Sequence, residues 1–252
     1  MRHYDDSLWS RAGNVLAGEF QTYSKSPYRY PLGIAPKFLD RGDGPYVWDV
    51  DSNRYIDLVA GLGPILFGHC HSSVNDAVAH QIKKGNSFTL GNALEVEVAE
   101  MICDLIPSAE LVRFAKNGKD VTEAAVRLAR FETQKPHMIY CGYHGGFSDY
   151  LVTTDNDGGI LPEIKHYNHQ IQFGNREQLQ SVIHKINTPD QGVRPGLAGI
   201  MVEVPPPIYG EDESEYEVFL KVLRDYTYYN GGVFILDEVV TGWRKDPGGA
   251  QH

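Results

Sequence analysis

Two acids follow a run of four apolar residues near the end of this 252-residue sequence. The run 233–236 comes directly after a pair of glycines, and its length and composition predict a strand buried on both faces. Asp237 is the first acid after it. Because the carboxyl ends of strands in an open α/β sheet face the ligand crevice, we expect Asp237 to meet a cation, a metal or a ligand there. The alternative is a solvated acidic loop.

A second candidate is the turn 117–119, Asn-Gly-Lys, which joins a predicted strand at 111–115 to a predicted helix. A helix N-terminus offers free backbone N–H groups and the positive end of a dipole, so a phosphate would fit there. The turn does not match a Walker A loop, because Arg113 stands where that loop requires glycine and Asp120 follows the lysine. The alternative is an ordinary capped turn, with Asp120 or Thr122 as the cap.

Tyr143 and His144 form a third candidate, since they lie between Gly142 and a further pair of glycines. Small neighbours let the backbone bend and leave an aromatic ring exposed for stacking on a planar heterocycle, although a core aromatic is the alternative. Glu203 is the fourth, because it ends the apolar strand 199–202 and should face the same crevice. Its alternative is a cap or a salt bridge.

Taken together, these four places suit a ligand with a phosphate, an aromatic ring and a basic nitrogen held by a carboxylate. Pyridoxal 5'-phosphate has all three. A carboxylate beside the ring nitrogen favours the protonated form of that nitrogen, which keeps the ring an effective electron sink.

The elements that would position these residues alternate between strand and helix. Helical spacing of apolar residues begins at Ser73 as the expected cap, continues over 94–105, and returns in three later segments. The alternation predicts an α/β protein with a parallel sheet and right-handed crossovers. Before it, 46–50 and 54–58 are typical of a hairpin. The predicted segments are helices after Gly118, over 177–186 and around Phe219, with strands at 111–115, 137–140, 199–203 and 233–236.

Composition places the chain among globular proteins, with 42% hydrophobic, 22% charged and 11% aromatic residues. A net charge of −10 argues against binding to nucleic acid or to an anionic membrane, since both need a basic surface. Three cysteines without CxxC spacing argue against a disulfide framework or a structural zinc site. The sequence shows no transmembrane run or secretory signal, and we expect a cytoplasmic protein.

Three motifs in order resemble the class III pyridoxal-phosphate-dependent aminotransferases, most closely the glutamate-1-semialdehyde aminomutase-like branch. They are 112–130, Tyr143-His144-Gly145 and 236–244, and 50–57 with Gly68-His69 matches the family's N-terminal pattern. The resemblance implies amino-group transfer between an amino acid or amine and an oxo compound. It also implies a homodimer with the fold type I large domain, mostly a parallel sheet with helices on both faces, preceded by an N-terminal subdomain. On this basis we expect an N-terminal segment and small-subdomain hairpin in 1–72, and a partial cofactor-binding large domain in 73–252.

The resemblance also implies roles for particular residues. Asp237 would pair with the pyridinium nitrogen, while Val239 and Tyr143 would cover the two faces of the ring. Backbone groups of Gly118 and Lys119 would hold the phosphate, and Glu203 would lie near the cofactor or substrate pocket. The cofactor-binding residues expected in this way are Asn117, Gly118, Lys119, Tyr143, His144, Glu203, Asp237 and Val239.

The sequence departs from the family pattern in two places. A small residue, often serine, is usual where Lys119 stands, so the lysine either adds charge for the phosphate or crowds the site. The lysine that forms the Schiff base lies in the family beyond the aspartate strand, and we find no counterpart before His252. We therefore expect a truncated chain that lacks the C-terminal part and is inactive by itself.

Two other functions remain open at this point. A metal-dependent hydrolase could use His69 and His71 with Asp237, because histidines at alternate positions of a strand point the same way. A non-catalytic module could bind the cofactor weakly or only pair with another subunit.

Overall fold

The computed structural model describes residues 3–146, 158–188, 194–204 and 213–251. The chain forms two compact units, Met1–Gly91 and Asn92–His252. The domain boundary expected after residue 72 stays a prediction. Within the described parts of the chain, no helix is long and apolar enough to cross a membrane.

The first unit contains a small antiparallel sheet in the order β1-β2-β3. The predicted hairpin is confirmed as β2 and β3, with Ser52 in the turn at a φ of 66°. β1 was not predicted, because it carries only one apolar residue, Leu39. The elements of this unit are α1 (His3–Val15), three short 3-10 helices (Ala17–Glu19, Tyr23–Lys25 and Pro27–Arg29), β1 (Leu39–Asp43), β2 (Tyr46–Asp49), β3 (Arg54–Ile56) and α2 (Ser72–Ile82).

The second unit contains a four-stranded sheet in the order β5-β4-β6-β7, and all its pairings are parallel. This confirms the predicted α/β fold with a parallel sheet. The elements are α3 (Ala93–Leu105), α4 (Gly118–Thr133), β4 (His137–Cys141), α5 (Pro162–Lys165), β5 (Asn168–Gln170), α6 (Arg176–Asn187), β6 (Leu197–Glu203), α7 (Glu213–Tyr229) and β7 (Val233–Asp237).

Alternate residues of a strand point to opposite sides of the sheet, and helices pack on both sides of this one. On one face Ile139 and Ile200 pack with Leu179 of α6 and Leu223 of α7. On the other face the sheet packs against α4, and the buried residues there are Val126, Ala129, Met138, Tyr140, Ala198 and Met201. The buried face of α4 therefore fixes the position of the helix relative to the strand ends.

Three local predictions are wrong. The segment 111–115 is not a strand but an irregular stretch, since Leu111 is 94% exposed and the segment pairs with none of the described strands. β7 is only half-buried over Val233–Leu236, since it lies at the edge of the described sheet. Helix α2 begins at Ser72 with His71 as its N-cap, so Ser73 is not the cap.

Candidate active site

The carboxyl ends of three neighbouring strands bring the predicted residues together at one edge of the sheet. β4 leads into the loop 142–146, β6 ends at Glu203 and β7 ends at Asp237. Glu203 and Asp237 are direct partners in the parallel register. The structure thus places both acids at the carboxyl edge of the parallel sheet, where open α/β sheets bind their ligands.

Asp237 is buried, with 6% of its surface exposed, and both carboxylate oxygens are engaged. Oδ2 lies 2.7 Å from Nδ1 of His144, and Oδ1 accepts the backbone N–H of Val239 at 3.0 Å. Because a carboxylate can only accept, Nδ1 of His144 carries the proton in this pair. The imidazole therefore compensates a carboxylate that would otherwise be costly to bury.

Two buried polar atoms in this region have no hydrogen-bond partner within the described ranges: Nε2 of His144 and Oγ1 of Thr241. Buried polar groups are nearly always hydrogen-bonded, so each of these atoms, on the segments that follow β4 and β7, calls for a further polar partner. The burial of Thr241 was not predicted from the sequence, where nothing distinguishes it from the polar residues that normally follow a strand.

Glu203 is hydrogen-bonded to the loop 142–146. Its Oε2 accepts the backbone N–H of Tyr143 at 2.9 Å, and a Cβ at Gly142 would lie 2.5 Å from Cβ of Glu203. Gly142 also has a φ of 111°, which only glycine adopts easily. Burial raises the pKa of the neighbouring Cys141 thiol to about 12, and the Glu203 charge adds to the rise, so this thiol stays protonated.

The first turn of α4 packs on the loop 142–146 and on Val239, which follows β7. A Cβ at Gly118 would lie 3.2 Å from both γ-methyl groups of Val239. Oγ1 of Thr122 lies 2.8 Å from the carbonyl oxygen of His144, which ties α4 to the loop. Thr122 was predicted only as an alternative cap, and its link to a residue 22 positions away carries no local sequence signal.

The N-cap of α4 is Asn117, and the Asp120 carboxylate accepts the Asn117 N–H at 3.1 Å. Neither Asp120 nor Thr122 is therefore the cap itself. This arrangement starts the helix at Gly118, so the backbone N–H groups of Gly118 and Lys119 have no carbonyl of a preceding helical turn to bind.

Lys119 follows Gly118 in the first turn. Its Nζ lies 3.0 Å from Oε1 of Glu123, one turn along the helix. Its stem packs over Gly145, where a Cβ would lie 3.1 Å from Cβ of Lys119. The glycine thus makes room for the lysine.

Tyr143 and Val239 are both exposed, at 64% and 62%. Both side chains offer surface that could cover a planar ligand, whereas Asp237 and His144 are buried. The structure brings a carboxylate, a helix N-terminus and two exposed non-polar surfaces into one contact network. Such a network can hold a flat ligand that has a basic nitrogen at one end and an anionic group at the other.

The metal-site alternative finds no support. Across the described parts of the chain, no group of three or more His, Cys, Asp or Glu side chains is placed to hold a metal ion. Nε2 of His69 instead lies 2.7 Å from Oδ2 of Asp57, and His71 is the N-cap of α2. Burial alone would raise the pKa of the Asp57 carboxyl, but the hydrogen bonds from His69, Ala60 and Val59 outweigh it and lower that pKa.

Comparison of the sequence with known proteins identifies a family. The family model for Aminotransferase class-III matches residues 32–246. A glutamate-1-semialdehyde 2,1-aminomutase from Chloroflexus aggregans is 34% identical over 241 residues, which is 90% of this chain and 53% of that protein. The enzyme of the same name from Methanothermobacter thermautotrophicus is 35% identical, and the match covers 98% of this chain and 58% of that protein.

Solved structures agree with the fold. An omega-transaminase from Sphaerobacter thermophilus superposes with a TM-score of 0.82 at 25% identity, covering 98% of this chain and 57% of that one. A transaminase with PLP bound gives a TM-score of 0.83 at 25% identity, covering 99% and 58%. The chain spans little more than half the length of these relatives. The matched motifs, the parallel sheet and the site at its carboxyl edge lead to one conclusion: the chain belongs to the class III aminotransferase family.

Proposed function

We propose that the protein is a pyridoxal-phosphate-dependent aminotransferase or aminomutase that moves an amino group between an amino acid or amine and an oxo compound. The observation that carries this proposal is the buried Asp237–His144 pair within the same contact network as the N-terminus of α4. The Asp237–His144 pair would hold a protonated ring nitrogen, and the N-terminus of α4 would hold a phosphate. These groups are the two ends of one cofactor. The names of the matched relatives support it.

Pyridoxal 5'-phosphate, when bound, supplies an electron sink for the carbanion that forms on the substrate. Asp237 would keep the proton on the ring nitrogen by ion pairing, and the Nδ1–H of His144 would hold that carboxylate in place. Val239 and Tyr143 would cover the ring. The backbone N–H groups of Gly118 and Lys119 would bind the phosphate at the positive end of the α4 dipole.

Asn117 and Glu203 would act indirectly. Asn117 begins α4 and so sets the direction of its free N–H groups, while Glu203 fixes the backbone of Tyr143. A ring-covering residue on a glycine-rich loop needs such an anchor, because the loop has few side chains of its own to pack. Both residues are thus proposed as positioning residues.

The loop 61–67 in the first unit is proposed to help select the amino donor and acceptor. A cavity of about 330 Å³ in this unit is lined by the Asp57–His69 pair and by Ile65, Leu66 and Phe67. Ile65, Leu66 and Phe67 supply apolar walls, and Asp57 with His69 supplies polar contacts.

We further propose that the complete protein is a homodimer and that these 252 residues alone have no appreciable transaminase turnover. Without the lysine that binds the cofactor covalently in this family, no amine base is present for the proton shift. Sedimentation equilibrium of the complete protein checks the first statement.

Cofactor binding followed by an activity panel tests the proposal. The purified 252-residue chain should bind pyridoxal 5'-phosphate in a form that dialysis removes and borohydride does not fix. The complete protein should bind it covalently and form pyridoxamine phosphate with some members of a panel of amines and amino acids. If the complete protein acquired no cofactor, the proposal would be wrong. If it held the cofactor but transferred no amino group from any donor, a non-catalytic binding module would be the better description.

A further inference from the structure

Lys119 is placed where helix energetics disfavour a cation. It is the second residue of α4, beside the positive end of the helix dipole, where lysine is destabilising unless an anion lies close by. In the structure that anion is Glu123, 3.0 Å away, and both side chains are partly exposed to solvent. An exposed pair of this kind stabilises a helix little, so little is lost when the two separate.

The aliphatic stem of Lys119 packs against Gly145. Gly145 stands against Cβ and Cγ of Lys119, at 3.1 and 3.2 Å from the position of a Cβ, so any larger residue at 145 would press on the stem. The same loop carries His144, whose buried Nε2 has no partner among the described residues. The lysine stem therefore lies against the loop that completes the proposed cofactor site.

Charge balance at the proposed phosphate position calls for a cation. The first turns of α4 carry Asp120 and Glu123, and a phosphate dianion bound at the N–H groups would be repelled by both. Serine or threonine at position 119 would offer a hydroxyl donor but no charge. Lysine offers a charge-assisted hydrogen bond, the stronger kind.

We propose that Lys119 is a phosphate-binding cation that is held by Glu123 in the free protein and transfers to the cofactor phosphate on binding. This inference rests on the proposed function, because the phosphate is that of pyridoxal 5'-phosphate. Its consequence is selectivity: the site favours the phosphorylated cofactor over pyridoxal more strongly, and with a steeper dependence on salt, than the helix N-terminus alone would.

Equilibrium titration with pyridoxal 5'-phosphate and with pyridoxal, followed by absorbance or by quenching of protein fluorescence, tests the exchange. Lys119→Met keeps the stem on Gly145 and removes only the charge. It should weaken binding of pyridoxal 5'-phosphate about tenfold, leave binding of pyridoxal unchanged and flatten the salt dependence. Lys221→Met is the matched control, because Lys221 forms the same kind of pair with Glu217 on α7, and it should change neither affinity.

Glu123→Gln tests the other half of the exchange. When Lys119 is present, this change should tighten binding of pyridoxal 5'-phosphate, because the lysine no longer has to leave Glu123. In the Lys119→Met background the tightening should be smaller, because Glu123 holds no lysine there. Equal tightening in both backgrounds would overturn the exchange, as would unchanged affinity in Lys119→Met. If the unmodified protein bound neither compound, the proposed function itself would fail and the inference with it.

Discussion

At the scale of single residues, the crevice depends on contacts between groups far apart in the sequence. Asp237 and His144 are 93 positions apart, and Glu203 and Tyr143 are 60 apart. The positions of Asp237 and Glu203 at the crevice could be predicted because an acid directly after an apolar run is a local pattern. The hydrogen bond from Tyr143 to Glu203 and the link from Thr122 to His144 could not, because they depend on how separate loops pack.

Gly142 gives a direct test of the loop geometry. Gly142→Ala should lower the free energy of unfolding by about 2–3 kcal/mol, because it adds a Cβ that clashes with Glu203 to a strained positive φ. Gly174→Ala is the control, since Gly174 also has a positive φ, of 80°, but nothing lies within 4 Å of its Cβ position. That change should cost only about 1 kcal/mol in urea unfolding. Equal losses in the two variants would show that Gly142 is not in contact with Glu203.

At the scale of elements, strongly patterned segments could be predicted and short ones could not. Helix α4 and strands β4 and β6 were predicted because their apolar residues repeat with a clear period or form continuous runs. β5 and α5 have three and four residues, too few to show a period. The segment 111–115 has the pattern of a strand, but a pattern does not show whether a neighbouring strand is there to pair with it.

Two buried histidines link β4 and β5 and should make the fold sensitive to acid. Nε2 of His137 donates to the Arg194 carbonyl at 2.9 Å, so its Nδ1 can only accept from Nε2 of His169, at 3.0 Å. His137 must stay neutral for this chain of bonds, because its Nδ1 has to accept, and burial disfavours a charge on either ring. Burial is the main cause that lowers the pKa of His169 from 6.5 to about 4, and the neighbouring His137 adds to it.

The direction of the pH effect follows from that lowered pKa. Below pH 6.5 the unfolded chain binds a proton at His169 that the folded protein does not, so stability falls from pH 6.5 down to about 4 and then levels off. His169→Asn should remove about 3 kcal/mol of the loss measured between pH 7 and pH 4 by urea unfolding. His184→Gln alters an exposed histidine of α6 and should leave the slope as it is. A slope that His169→Asn does not change would contradict this assignment.

At the scale of the whole molecule, much of the apolar surface outside the central sheet is exposed. In α2, Val74, Val78 and Ile82 are each about half exposed, at 49%, 53% and 59%. The helical period of α2 and α3 was predicted correctly, but neither helix has a buried residue. A helix period shows which face is apolar and not what covers it. These faces are consistent with the proposed homodimer of the complete protein.

The central claim is that Asp237 holds a proton on the ring nitrogen of bound pyridoxal 5'-phosphate. Nitrogen-15 NMR of the cofactor, labelled at the ring nitrogen and bound to the protein at mildly alkaline pH, tests it most directly. The account predicts a protonated ring nitrogen in the unmodified protein and an unprotonated one in Asp237→Asn, with the cofactor still bound through its phosphate. A ring-nitrogen signal that is the same in both proteins would contradict it.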